Sequence, residues 1–242
     1  MMKLKKLTFI LFLMFNLVLY AQKDEIKLDE ILNAHKQLVN AGNNLHAVET
    51  MKLSGTIFYF GEQFPLEVYR KRVNCCRIEV DMGNAKDICI MNDGKMVMKT
   101  DSGFAEIQDP LYIAILNAFS NFDLLADYDT AKVKVRLTGT EDIDGISAYN
   151  LQVTRENSDT ENWFIDSNEY KLIQVKGMTM WYNGRPSVKT IMYMDYRPEG
   201  GVNLPHYYYC DVTTFSAEAE ITSAVMNPEL SPDLFNITTG GK

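Results

Sequence analysis

Histidine occurs three times, cysteine four times and tryptophan twice in 242 residues. Imidazole and thiol side chains are therefore scarce. No G-x-S-x-G elbow, H-E-x-x-H pair or glycine-rich phosphate loop is present. His35, His46 and His206 show no metal-ligand spacing. His35 falls on the apolar face of a predicted helix, the usual place of a structural histidine. Cys75 and Cys76 are adjacent in a predicted strand and point to opposite faces, so a zinc site built from Cys75, Cys76, Cys89, Cys210 and His206 does not converge. The acidic run Glu141-Asp142-Ile143-Asp144-Gly145 is too short for an EF-hand loop and reads as a solvated turn. A basic stripe is missing too. With 32 acidic and 24 basic residues the net charge is −8, a surface that repels nucleic acid and anionic lipid headgroups. These absences point away from an enzyme. They leave no cofactor, no metal and no nucleic-acid partner to expect.

One long apolar run is present, at the N-terminus. Lys3, Lys5 and Lys6 precede Leu7 to Tyr20, which is apolar except for Thr8 and Asn16, and Ala21 supplies a small residue. That pattern predicts a signal peptide over residues 1–21, cleaved after Ala21. The new N-terminus, Gln22, is not cysteine, so a thioether-linked lipid has no attachment point, and a freely diffusing exported protein is expected. The remainder, residues 22–242, reads as a single domain, and its net charge becomes about −11.

Within that domain a helix comes first. Ile26, Leu28, Ile31, Leu32, Leu38 and Val39 recur mostly at spacings of three and four, before a break at Gly42-Asn43-Asn44. The period then changes to two. Met51, Leu53, Ile57 and Tyr59 alternate with polar residues, as do Phe64, Leu66 and Val68, then Cys76, Ile78, Val80 and Met82. Asn92-Asp93-Gly94 marks a tight hairpin. A second helix is predicted from Asp109 as cap and Pro110 in the first turn, with LYIAILNAFSNFDLL as its apolar body. Strand patterns resume from VKVRLTG onwards. About ten or eleven strands are expected, in a mainly β (α+β) fold whose antiparallel sheet curls towards a barrel against two helices. The cysteines admit three full pairings; Cys76 with Cys89 and buried free thiols are both open readings.

Methionine is abundant, at 13 residues, and many lie in the predicted strands beside aromatics. Such soft side chains fill cores and also suit surfaces that accept varied apolar partners. A curved sheet that its helices do not fill leaves a hydrophobic cavity.

The later part of the chain resembles the outer-membrane lipoprotein-sorting proteins. The resemblance rests on Val135-Arg136-Leu137-Thr138-Gly139-Thr140-Glu141, Ile143-Asp144-Gly145, Ala148-Tyr149-Asn150-Leu151 and Trp163-Phe164-Ile165-Asp166. Met194-Asp195-Tyr196-Arg197, Gly201-Val202-Asn203-Leu204-Pro205-His206 and the ending Asn227-Pro228 with Leu234-Phe235 continue it. With Leu53-Ser54-Gly55-Thr56 after the opening helix, it covers nearly all of the mature chain. It implies the LolA-like fold, an unclosed antiparallel half-barrel with helices covering the concave face. It also implies a periplasmic carrier of lipid, or of the acyl chains of lipoproteins, serving transfer towards the outer membrane with a membrane donor or receptor as partner. A protein-binding or envelope-stress sensor module on the same fold is the alternative. The lipid-cavity candidates are Leu53, Ile57, Leu66, Val68, Ile78, Val80, Met96, Met98, Leu116, Phe119, Trp163, Met180 and Met192. In the best-known carriers of this kind an arginine on an early strand latches the lid; Arg70 and Arg72 lie in a suitable strand, and neither is assigned that part.

Overall fold

Alternating burial shapes the strands. In β1 (Thr50–Tyr59), Met51, Leu53, Ile57 and Tyr59 are buried and their neighbours are not, as a half-covered strand requires. The computed structural model describes residues 27–42, 45–72, 75–120, 125–126, 133–155, 160–213 and 215–237. The expected signal peptide lies outside them.

From β1 the chain meanders through β2 (Glu62–Lys71), β3 (Cys75–Asp81), β4 (Lys86–Asn92), β5 (Lys95–Thr100) and β6 (Gly103–Glu106). Helix α2 (Pro110–Ser120) follows, preceded in the chain by α1, residues 27–39. The meander resumes at the far edge with β7 (Lys134–Ile143), β8 (Ile146–Thr154), β9 (Thr160–Asp166) and β10 (Leu172–Tyr182). It returns through β11 (Arg185–Glu199), β12 (Val202–Val212) and β13 (Phe215–Met226). The order is β6-β5-β4-β3-β2-β1-β13-β12-β11-β10-β9-β8-β7, one antiparallel sheet with β6 and β7 as its open edges. Among the described residues thirteen strands stand where ten or eleven were expected, the additions being β6 and β13. Positive φ at Asp93-Gly94, Asp144-Gly145 and Asn183-Gly184 closes three hairpins in the primed-turn manner that suits strand twist.

The β1–β13 pair joins the two meanders. It carries a bulge between Ser54 and Gly55. Asp109 caps α2 as predicted, its Oδ1 accepting from the Leu111 N–H at 2.8 Å. Ala114, Ile115, Leu116, Asn117, Ala118 and Phe119 of α2 are all buried, so the helix is enclosed on every side rather than along one stripe. It packs on β10 to β13 and on β3 and β4, spanning both meanders over the inner face. Ile31, Leu32 and Val39 of α1 join the same core. The outer face of β3 and β4 is covered by the C-terminal segment, where Arg77 donates to the Leu234 carbonyl at 3.0 Å and Asn92 to that of Phe235 at 3.0 Å. Among the described residues no disulfide forms, and Cys76 stands opposite Met91 while Cys89 stands opposite Ile78.

Candidate functional site

Between α2 and the first meander lies a space of about 290 Å³ counted out to its mouth, and the centre of a water molecule fits in about 10 Å³ of it. Its walls are Ile57 and Tyr59 from β1, Ile78 and Val80 from β3, Asp87 and Cys89 from β4, and Tyr112 and Ile115 from α2. Alternation puts Asp87 on the same inward face as Cys89. The space is therefore apolar with one carboxylate in its wall. It has room for about one water molecule, far less than a ligand pocket offers, and it leaves α2 as the main occupant of the concave face.

Polar contacts hold α2 at both ends. Near its start, the Tyr112 hydroxyl donates to Asp87 Oδ2 at 2.6 Å, and Tyr59 donates to the same oxygen at 3.2 Å. Burial pushes the Tyr112 hydroxyl far above the usual phenol range, with the Asp87 hydrogen bond adding to it. Burial raises Tyr59 as well. Both phenols stay protonated donors, and charge-assisted bonds of this kind are the stronger class. At the other end Arg70 Nη2 donates to the Ser120 carbonyl at 3.4 Å, on the helix terminus that favours positive charge. Arg72 instead donates to the Leu45 carbonyl at 2.8 Å, fixing the 3-10 turn Leu45–Ala47.

The expected cavity residues fall into groups. Ile57, Ile78 and Val80 line the space. Leu53, Leu66, Val68, Leu116, Phe119 and Trp163 are buried in the same core cluster without lining it, and Met96 and Met98 pack half-buried against it. Met180 sits half-buried on the inward side beyond that core, opposite the buried Ser187. Met192 lies on the outer face and outside the cavity, because Ile191 and Tyr193 on either side point inward and alternation turns it away. Tyr59, Asp87, Cys89, Tyr112 and Ile115 line the space too and were not among the expected residues; the available signals were that Tyr59 alternates in step with Ile57 and that Asp87 shares a strand face with Cys89.

Helix α1 is held by a histidine. His35 is fully buried, and its Nδ1–H donates to the Tyr170 carbonyl at 2.8 Å, in the turn between β9 and β10. Its Nε2 is buried and has no hydrogen-bond partner among the described residues. Burial lowers its pKa, the Tyr170 bond opposing only in part. Folded His35 therefore refuses a proton that the unfolded chain accepts, and its contribution to stability is present above about pH 6.5 and lost as pH falls below it. His206, also lowered by burial, acts with the same sign. Urea titrations from pH 8 to pH 5 are expected to show falling stability, with a shallower fall in His35→Gln. An identical slope in that variant would assign the effect elsewhere.

An open antiparallel sheet with an apolar helix lodged in its concave face defines the class: half-barrels with a helical lid. The chain shares its fold with the LolA superfamily. A LolA-superfamily protein from Nitrosomonas europaea superposes with a TM-score of 0.56 at 13% identity, over 86% of this chain and 96% of that one. An outer membrane lipoprotein-sorting protein domain from Vibrio parahaemolyticus gives 0.53 at 13% identity, over 84% and 97%. A DUF1329 family protein from Desulfovibrio piger gives 0.51 at 13% identity, over 85% and 97%. No protein-family model and no curated protein matches the chain.

Proposed function

We propose that this protein is a non-enzymatic periplasmic carrier that holds lipid, or the acyl chains of lipoproteins, where α2 now lies, for transfer towards the outer membrane. The observation that supports this is a largely apolar helix buried in an open half-barrel, tied by polar contacts near each end and flanked by a residual apolar space. Undocking α2 exposes Ile115, Leu116 and Phe119, at roughly 1.5–3 kcal/mol each. An entering chain contributes about 0.8 kcal/mol per buried methylene, so ten methylenes offset that loss. Apolar surface is exchanged for apolar surface, and the polar contacts set the bias between closed and open forms.

Tyr112→Phe keeps the ring and removes the 2.6 Å bond to Asp87. Losing a bond to a charged group costs the closed form about 1.5 kcal/mol, so apparent affinity for a fluorescent long-chain fatty acid is expected to rise about tenfold. Fluorescence titration of wild type and variant, with mass spectrometry of co-purifying lipid, reads this directly. A folded wild type and a folded variant that both exclude the probe and carry no lipid would overturn the carrier reading.

A further inference from the structure

Among the described residues nine large apolar side chains are exposed, and seven of them crowd one end of the half-barrel. Strand register places them there. Tyr59, at the end of β1, pairs with Ala217 near the start of β13; Val212, at the end of β12, pairs with Phe215 and with Lys189 of β11. Phe58 and Phe60 at the β1–β2 turn and Phe215 at the β12–β13 turn thus share a rim with the β10–β11 hairpin.

That hairpin overhangs. β10 last pairs with β9 at Gly177 and β11 first pairs with β12 at Lys189, so the residues between form a ladder only with each other. Four further residue pairs carry the tip on the order of 13 Å past its neighbours. Met178, Val188 and Trp181 stand on it at 50%, 51% and 66% exposure.

We propose that this end docks on the surface of a lipid bilayer with zwitterionic headgroups. The choice of a bilayer over a protein rests in part on the carrier reading. Three features favour it. The side chains sit on two turns and an overhanging hairpin along one rim rather than in a groove that a folded partner fills. Tryptophan and tyrosine suit a boundary that is apolar on one side and wet on the other. The apolar path is also continuous: Tyr59 lines the interior space, its ring lies 4.8 Å from that of Phe60, and Phe60 lies 5.7 Å from Phe215. A chain moving between bilayer and half-barrel along those rings stays out of water. The net charge of −8 selects neutral over anionic headgroups.

The protein carries its own reporter, since Trp163 is fully buried and Trp181 is exposed. The purified protein is mixed with phosphatidylcholine vesicles, with phosphatidylglycerol vesicles and with buffer, and read by co-sedimentation and tryptophan emission. With phosphatidylcholine we expect sedimentation and a blue shift that Trp181→Phe abolishes. Trp181→Ser with Phe60→Ser is expected to weaken partitioning about tenfold or more, with an unchanged thermal transition. Failure to sediment with phosphatidylcholine overturns the proposal, as does binding to phosphatidylglycerol alone. Sedimentation without a change in emission, or a blue shift in buffer that grows with protein concentration and marks a second copy as occupant, also overturns it. Probe uptake without vesicles tests the carrier reading alone, so the two can fail separately.

Discussion

Gly55→Ala is expected to destabilise the protein by about 3 kcal/mol, among the costlier overpacking changes, and to lower the melting temperature by roughly 6–12 °C. A Cβ at Gly55 would lie 1.9 Å from the Glu220 carbonyl oxygen and 2.9 Å from the Ile221 Cα. Both are backbone atoms of the partner strand, so no side chain can swing aside; the strands must part. The site is the bulge in the β1–β13 pair, the seam that holds the two meanders in one sheet. A wedge there strains the ladder that joins them and with it the floor on which α2 lies. Thr56→Ala, one residue further along and facing the other way, is expected to change stability by less than about 1 kcal/mol. Urea denaturation of the two variants makes the comparison, and a Gly55→Ala protein as stable as Thr56→Ala would show that the seam yields.

The same seam shows what the sequence could and could not disclose. β1 is legible from Met51, Leu53, Ile57 and Tyr59 alone. Its partner β13 is not, because Ala217-Glu218-Ala219-Glu220 are residues that favour helices and form weak strands. What makes this segment a strand is its neighbours. Ala217 stands opposite Tyr59 and Ala219 opposite Tyr208, so the small residues fit beside two large buried rings. Glu218 points outward and takes a hydrogen bond from Tyr207. Tertiary packing overrides propensity there, and no window of the sequence contains both partners. β6 escaped for a simpler reason, its four residues being too few to establish a period.

The site was legible in outline only. Ile57, Ile78 and Val80 announce an apolar inner wall through alternation. The tie that holds α2 does not, since Tyr112, Asp87 and Tyr59 lie on three elements brought together by the return of the helix across the sheet. Arg70 is a comparable case. It follows Val68 on the inner face of β2, and in sequence its place in an early strand does not separate it from Arg72 until α2 delivers the Ser120 carbonyl to it.

Glu161 offers the second large effect, and its origin is a missing side chain. Glu161 on β9, Gly177 on β10 and Lys189 on β11 lie in one register row. The glycine leaves the row open, so the outer two side chains meet across an intervening strand, Lys189 Nζ to Glu161 Oε1 at 2.5 Å. Both are almost fully buried, at 3% and 4% exposure. The other carboxylate oxygen accepts from the Trp163 indole at 3.0 Å and from Arg155 at 3.2 Å. Burial alone would raise the Glu161 pKa; Lys189, Arg155 and the Trp163 bond outweigh it and bring it to about 2. Folded Glu161 thus loses its charge later than the unfolded carboxyl does, and its contribution is present above about pH 4.5 and lost as pH falls towards 2. Glu161→Gln keeps the shape and strands the Lys189 ammonium without its anion, at an expected cost of about 3–5 kcal/mol. Lys189→Met added to that change removes the stranded charge, and the double variant is expected to recover most of the loss. If the double variant is no more stable than Glu161→Gln alone, the cost lies in the lost ion pair to Arg155 rather than in the stranded Lys189 charge. Chemical denaturation at pH 7 of the wild type, the single variant and the double variant decides between them.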